Sequence, residues 1–145
     1  MLYHALPLKY FSFIILKTAI YSALVNALLF LLLERLGVIH TSIYINDDPN
    51  MAITLVPVIV SSVLPTLLGG VIFWLLLRYL KKGITIFGVA SVVLGLISFA
   101  APFQLPEIPL GMAMALNLMH VVVLYNMLHY FRKAAHKTVL LSPSE

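Results

Sequence analysis

Cysteine is absent from this 145-residue chain, and Asp, Glu, Lys and Arg together make up only 10% of it. The first absence excludes disulfide frameworks, thiol redox chemistry and thioether haem attachment. The second excludes a water-soluble globule, whose surface ordinarily needs about 25% charged residues. No Asp, Glu, Lys or Arg falls in the middle of any long apolar run. Proton-coupled carriers and rotary rings commonly depend on an intramembrane carboxylate, so that chemistry has no group to use here. No long aqueous stretch remains for a second domain, and residues 1–145 read as a single transmembrane domain.

What is present is hydrophobic: 62% of the residues are apolar and the formal net charge is +4. Four runs approach or exceed the ~20 residues that a helix needs to cross a hydrocarbon core. They extend from about Phe13 to Leu33, Met51 to Leu77, Ile84 to Ala101 and Leu110 to Phe131. The expected fold is an all-α membrane protein, a four-transmembrane-helix bundle running up-down-up-down. The first run follows Lys9 but ends in Glu34-Arg35 with no small-x-small cleavage site, so it reads as a retained helix. Between runs, 34–50 carries Asp47, Asp48 and Asn50, Lys81-Lys82-Gly83 makes a short turn, and 102–109 holds three prolines. The last is expected to be a tight extended link. Asp47 and Asp48 lack the spacing of a calcium loop and read as solvated.

Basic residues set the orientation. Lys9, Lys17, Arg78, Lys81, Lys82, Arg132, Lys133 and Lys137 fall on one side with Glu145, a net +7. Arg35 falls on the other with Glu34, Asp47, Asp48 and Glu107, a net −3. Both termini are therefore expected in the cytoplasm of a bacterial cell, with the bundle in its plasma membrane. The high pI follows from this topology and does not point to nucleic acid.

Polar side chains at membrane depth are where chemistry would show, because each needs a partner there. At ~1.5 Å per residue from the outer helix ends, Asn26 lies about 12 Å deep, Asn117 about 10 Å and His120 about 15 Å. Ser61 and Ser62 share that depth on the second helix. Hydrogen bonds among Asn26, Ser61 or Ser62, Asn117 and His120 are expected, while Asn126 is turned about 180° from Asn117. Thr18, Ser22 and Asn26 recur at i, i+4 and i+8, forming a face for another helix. Gly88, Ser91, Gly95 and Ser98 form a small-residue seam for close helix packing. Pro57 and Pro65 lie inside the second run, and Pro65 cannot donate to the Ser61 carbonyl, which puts a bend in the polar layer. A lone deep histidine is a poor metal site, since none of His4, His40, His129 and His136 shares its depth. No metal or cofactor is expected.

Asn26-Ala27-Leu28, Pro65-Thr66-Leu67-Leu68-Gly69-Gly70 and Met119-His120-Val121-Val122 together resemble small bacterial four-helix membrane proteins grouped as a domain of unknown function. The resemblance implies the four-span topology and a bacterial plasma membrane, and it singles out Asn26, Pro65, Gly69 and His120. It supplies no activity. Claudin-like and tetraspanin-like patterns require loop cysteines that this chain lacks.

The function expected from these features is non-enzymatic: an integral membrane protein that packs with itself or with a membrane-protein partner and holds a small apolar or lipid-like ligand at the polar layer. The alternatives are an oligomeric small-molecule transporter or channel, and a haem- or quinone-linked subunit using His120.

Overall fold

A computed structural model describes residues 8–40, 53–105 and 108–141. The described chain forms four long helices: α1 Leu8–Arg35, α2 Leu55–Tyr79, α3 Gly83–Ser98 and α4 Leu110–Leu141. A short 3-10 turn, Pro102–Gln104, precedes α4. All four segments are long and apolar enough to cross a membrane. Asp47, Asp48 and Glu107 lie outside the described residues.

Helix ends differ from expectation where polar residues or prolines govern them. Thr54 caps α2 in extended conformation, so the helix starts at Leu55 rather than Met51. Pro57 then falls in the first turn, where a missing N–H breaks no helical bond. Only Pro65 is internal to the helix. Helix α3 ends at Ser98 because Pro102 brings no N–H to the Ser98 carbonyl; the Ala101 N–H reaches it instead at 3.1 Å. The connection expected to be extended therefore begins as a 3-10 turn. Helix α4 runs past Phe131 to Leu141, since Arg132, Lys133, Ala134 and Ala135 end the apolar pattern without ending helix propensity. At the close of α1, Gly37 adopts φ 71° and Val38 N–H bonds the Leu33 carbonyl at 2.9 Å, a left-handed turn that stops the helix.

Helix α1 packs against α2 and α4, and α3 packs against α2 and α4 from the other side. Only 11% of the apolar window of α3 is buried, against 39% for α1 and for α4. Helix α3 is thus peripheral.

Two apolar clusters hold the ends of the bundle. At the basic end Phe73 lies 4.7 Å from Phe87 and 5.6 Å from both Phe11 and Phe131, ring centre to ring centre. At the opposite end Phe30, Ile39, Val58, Met112 and Met119 pack together. Between them the core is polar: Thr18, Ser22, Asn26, Ser62, Thr66 and Asn126 are all buried. Lipid tails are as apolar as these helices, so mid-depth association rests on packing and interhelical hydrogen bonds rather than on the hydrophobic effect.

Candidate functional site: an apolar cavity with a polar floor

Helices α2, α3 and α4 line a half-open cavity of about 470 Å³, with Asn26 of α1 also in its lining. It exists because small residues face one another there. Pro65 and Gly69 on α2 stand opposite Ala90, Ser91, Gly95 and Ser98 on α3, and their side chains leave the interhelical space unfilled. The remaining wall is chiefly apolar, including Ile72, Phe87, Leu116 and Met127.

Asn26 organises the polar floor. Its Nδ2 donates to Ser62 Oγ at 2.9 Å and to the Met119 carbonyl at 3.1 Å, joining three helices through one side chain. The amide orientation is fixed chemically: the Met119 carbonyl only accepts, and Ser62 gives its own proton to the Val58 carbonyl at 2.7 Å. Asn26 Oδ1 is consequently left buried without a hydrogen-bond partner. A buried acceptor in that state costs roughly 1–3 kcal/mol.

His120 also lines the cavity, but its Nδ1 lies 2.9 Å from the Leu116 carbonyl of its own helix. That carbonyl cannot donate, so Nδ1 is the donor in this contact. Ser61 lines the cavity and donates to the Val58 carbonyl at 3.1 Å. Pro65 lies one turn on and offers no N–H to the Ser61 carbonyl.

The structure separates Asn117 from this group. Its Nδ2 donates to the Phe99 carbonyl at 3.1 Å, tying α4 to the end of α3, and its Oδ1 is buried and unpaired. The single network expected to join Asn26, Ser61 or Ser62, Asn117 and His120 is thereby corrected. Asn26 and Ser62 bond to each other, whereas Ser61, Asn117 Nδ2 and His120 bond to backbone carbonyls. Asn126 does face away from Asn117, and its Nδ2 donates to Ser22 Oγ at 3.2 Å. This second link between α1 and α4 is a pairing that depth along the helices did not suggest.

The small-residue seam of α3 divides between two tasks. A Cβ on Gly88 would meet the guanidinium of Arg132, and one on Gly95 would lie 2.8 Å from Leu124 Cδ2, so these glycines bring α3 onto α4. Ser91 and Ser98 line the cavity, and Ser98 donates to the Gly95 carbonyl at 2.7 Å. Among the described residues no three His, Asp or Glu side chains are grouped to hold a metal ion.

Comparison with curated proteins and with solved structures finds no match to either. A family model does match, over residues 15–137, which spans all the side chains that line the cavity. The chain belongs to that family, DUF6069, a family of unknown function.

Proposed function

We propose that this chain is a non-enzymatic protein of the bacterial plasma membrane whose α2–α3–α4 cavity holds a small apolar or lipid-like molecule. Eight of the nine basic residues belong to the end of the bundle where α1 begins and α4 closes, and this favours cytoplasmic termini. The observation that carries the ligand reading is a cavity of about 470 Å³ whose wall is chiefly apolar and whose polar lining is confined to Asn26, four serines and His120. A site of this size and lining, with a few convergent polar groups, matches the usual character of small-molecule pockets. None of the side chains lining it is a carboxylate, guanidinium or amine. The wall therefore offers binding and orientation rather than a nucleophile or charge clamp. The exposed outer side of α3, with Val89, Val93 and Leu96, is where a second copy or a partner helix would pack.

The test is what co-purifies. Protein extracted in mild detergent should carry an apolar molecule in near-stoichiometric amount by mass spectrometry of its organic extract. Ser91→Phe, which fills the cavity from α3, should lose it. An extract unchanged by Ser91→Phe would remove the ligand reading.

A further inference from the structure

A second hollow, separate from the cavity, opens between α3 and α4 at the basic end of the bundle: an open groove of about 530 Å³. Thr85 of α3 and Arg132 and His136 of α4 line it, together with Val89, Val92 and Val93. These residues are sorted by depth. Helix α3 starts at the basic end, just after Lys82, so Thr85 lies near the surface while Val92 and Val93 lie about 10–12 Å further in at ~1.5 Å per residue. Arg132 and His136, four apart on α4, share one face beside the shallow part.

The Arg132 guanidinium is laid across α3 by a missing side chain. Gly88 is buried, and a Cβ there would meet the guanidinium, so glycine opens the notch that the cation occupies. Arg132 is nevertheless exposed, and among the described residues its guanidinium has no hydrogen-bond or ion-pair partner. The exposed Thr85 hydroxyl is free in the same sense. Glu34 is the one carboxylate side chain among the described residues, and it stands at the opposite end of the bundle. A guanidinium at the edge of hydrocarbon calls for an anion, and its forked donors match phosphate.

We propose that this groove holds one anionic phospholipid, its phosphate on Arg132, His136 and Thr85 and an acyl chain along Val89, Val92 and Val93. Basic pockets between membrane helices are a recurrent form of headgroup site. The lining offers no carboxylate to receive a headgroup ammonium, which disfavours zwitterionic lipids. Val89 and Val93 also belong to the outer side of α3 where a second helix would pack. The free guanidinium decides for lipid at this end, because the described part of a second copy brings no carboxylate there. The site is independent of the ligand reading of the cavity.

The experiment is native mass spectrometry of the full-length protein, delipidated in mild detergent and titrated with dioleoyl phosphatidylglycerol or dioleoyl phosphatidylcholine. One phosphatidylglycerol should bind roughly fivefold or more tightly than phosphatidylcholine, the factor expected of one basic residue acting on one lipid charge. Arg132→Gln should weaken phosphatidylglycerol roughly tenfold, as loss of a charge-assisted hydrogen bond does. Lys82→Gln removes the same charge at the same end but outside the groove lining, and should change affinity less than about twofold. Val89→Trp fills the groove at an exposed position, leaves every charge in place, and should weaken binding as Arg132→Gln does. Excess inorganic phosphate should not displace the lipid. Equal affinity for the two lipids, or equal losses in Arg132→Gln and Lys82→Gln, would reduce the site to general surface charge and overturn the proposal. Displacement by inorganic phosphate would show an anion site without chain recognition and overturn it too, as would a dimer that carries no phosphatidylglycerol.

Discussion

Asn26 and Ser62 meet at 2.9 Å in the middle of the bundle, and the serine hydroxyl accepts from the amide because its own proton goes to the Val58 carbonyl. This relay runs from α1 into the backbone of α2, and the second amide bond reaches the backbone of α4. Removing the amide should therefore cost more than removing the hydroxyl. Asn26→Leu is expected to lower stability by about 1–2 kcal/mol, from two interhelical bonds of ordinary membrane strength. Ser62→Ala should cost less than ~1 kcal/mol, since the bond to Met119 survives. Reversible unfolding in mixed micelles measures both, and the reverse order would contradict the geometry.

The Ser22–Asn126 pair should be energetically coupled on its own account. A double-mutant cycle with Ser22→Ala and Asn126→Ala should give about 0.6 kcal/mol, the usual size for such pairs in a membrane protein. The Asn26–Asn126 cycle should give close to none, because these two side chains share no hydrogen bond.

How much of this arrangement the residues announced depends on what carried each contact. The Thr18, Ser22, Asn26 stripe was legible because a repeat of four marks one face of a helix, and all three are buried in the structure. The Met119 carbonyl was not, since every residue has a carbonyl and none signals which will accept from a side chain. Asn117 and His120 share a face only loosely: three residues at ~100° each leave them about 60° apart. That offset sends Asn117 to the end of α3 and His120 to the cavity. Asn126 was placed on the far side of α4, but that side is covered by α1, so it is buried too. The cavity itself was legible only in part. Pro65 announced a bend and the α3 seam close packing, and the structure lines the cavity with Ser91, Gly95 and Ser98 of that seam.

Glycine substitutions should separate rigid contacts from yielding ones. A Cβ on Gly83 would run into the Leu76 carbonyl and lie 2.9 Å from Leu77 N, and backbone cannot step aside cheaply. On Gly95 it meets the tip of Leu124, which can rotate. On Gly111 the nearest atom is Val38 Cγ1 at 3.9 Å, an ordinary contact. Gly83→Ala is expected to be the most damaging, by more than ~1 kcal/mol for overpacking, and Gly95→Ala intermediate. Gly111→Ala should be neutral or stabilising, because alanine is the better helix former by about 1 kcal/mol. Gly95→Leu should push α3 away from α4 and lower thermal stability further. Melting temperatures of the four variants rank them.

Phe73 is the hub of the aromatic cluster at the basic end, touching Phe11, Phe87 and Phe131. Phe73→Ala removes three ring contacts at once. Because lipid replaces water as the alternative environment, the loss should sit at or below the low end of the ~3–5 kcal/mol seen for buried aromatics in soluble cores. Phe13→Ala, at a side chain 63% exposed, should change stability by less than ~0.5 kcal/mol. The same unfolding assay compares the two, and equal losses would contradict the packing described.

The most direct measurement is a high-resolution density map of the protein in discs of its native lipid. It should show a compact, non-phospholipid molecule between Asn26, Ser62, Pro65 and His120. A map in which α3 has closed onto α2 and α4, leaving no space there, would contradict the account.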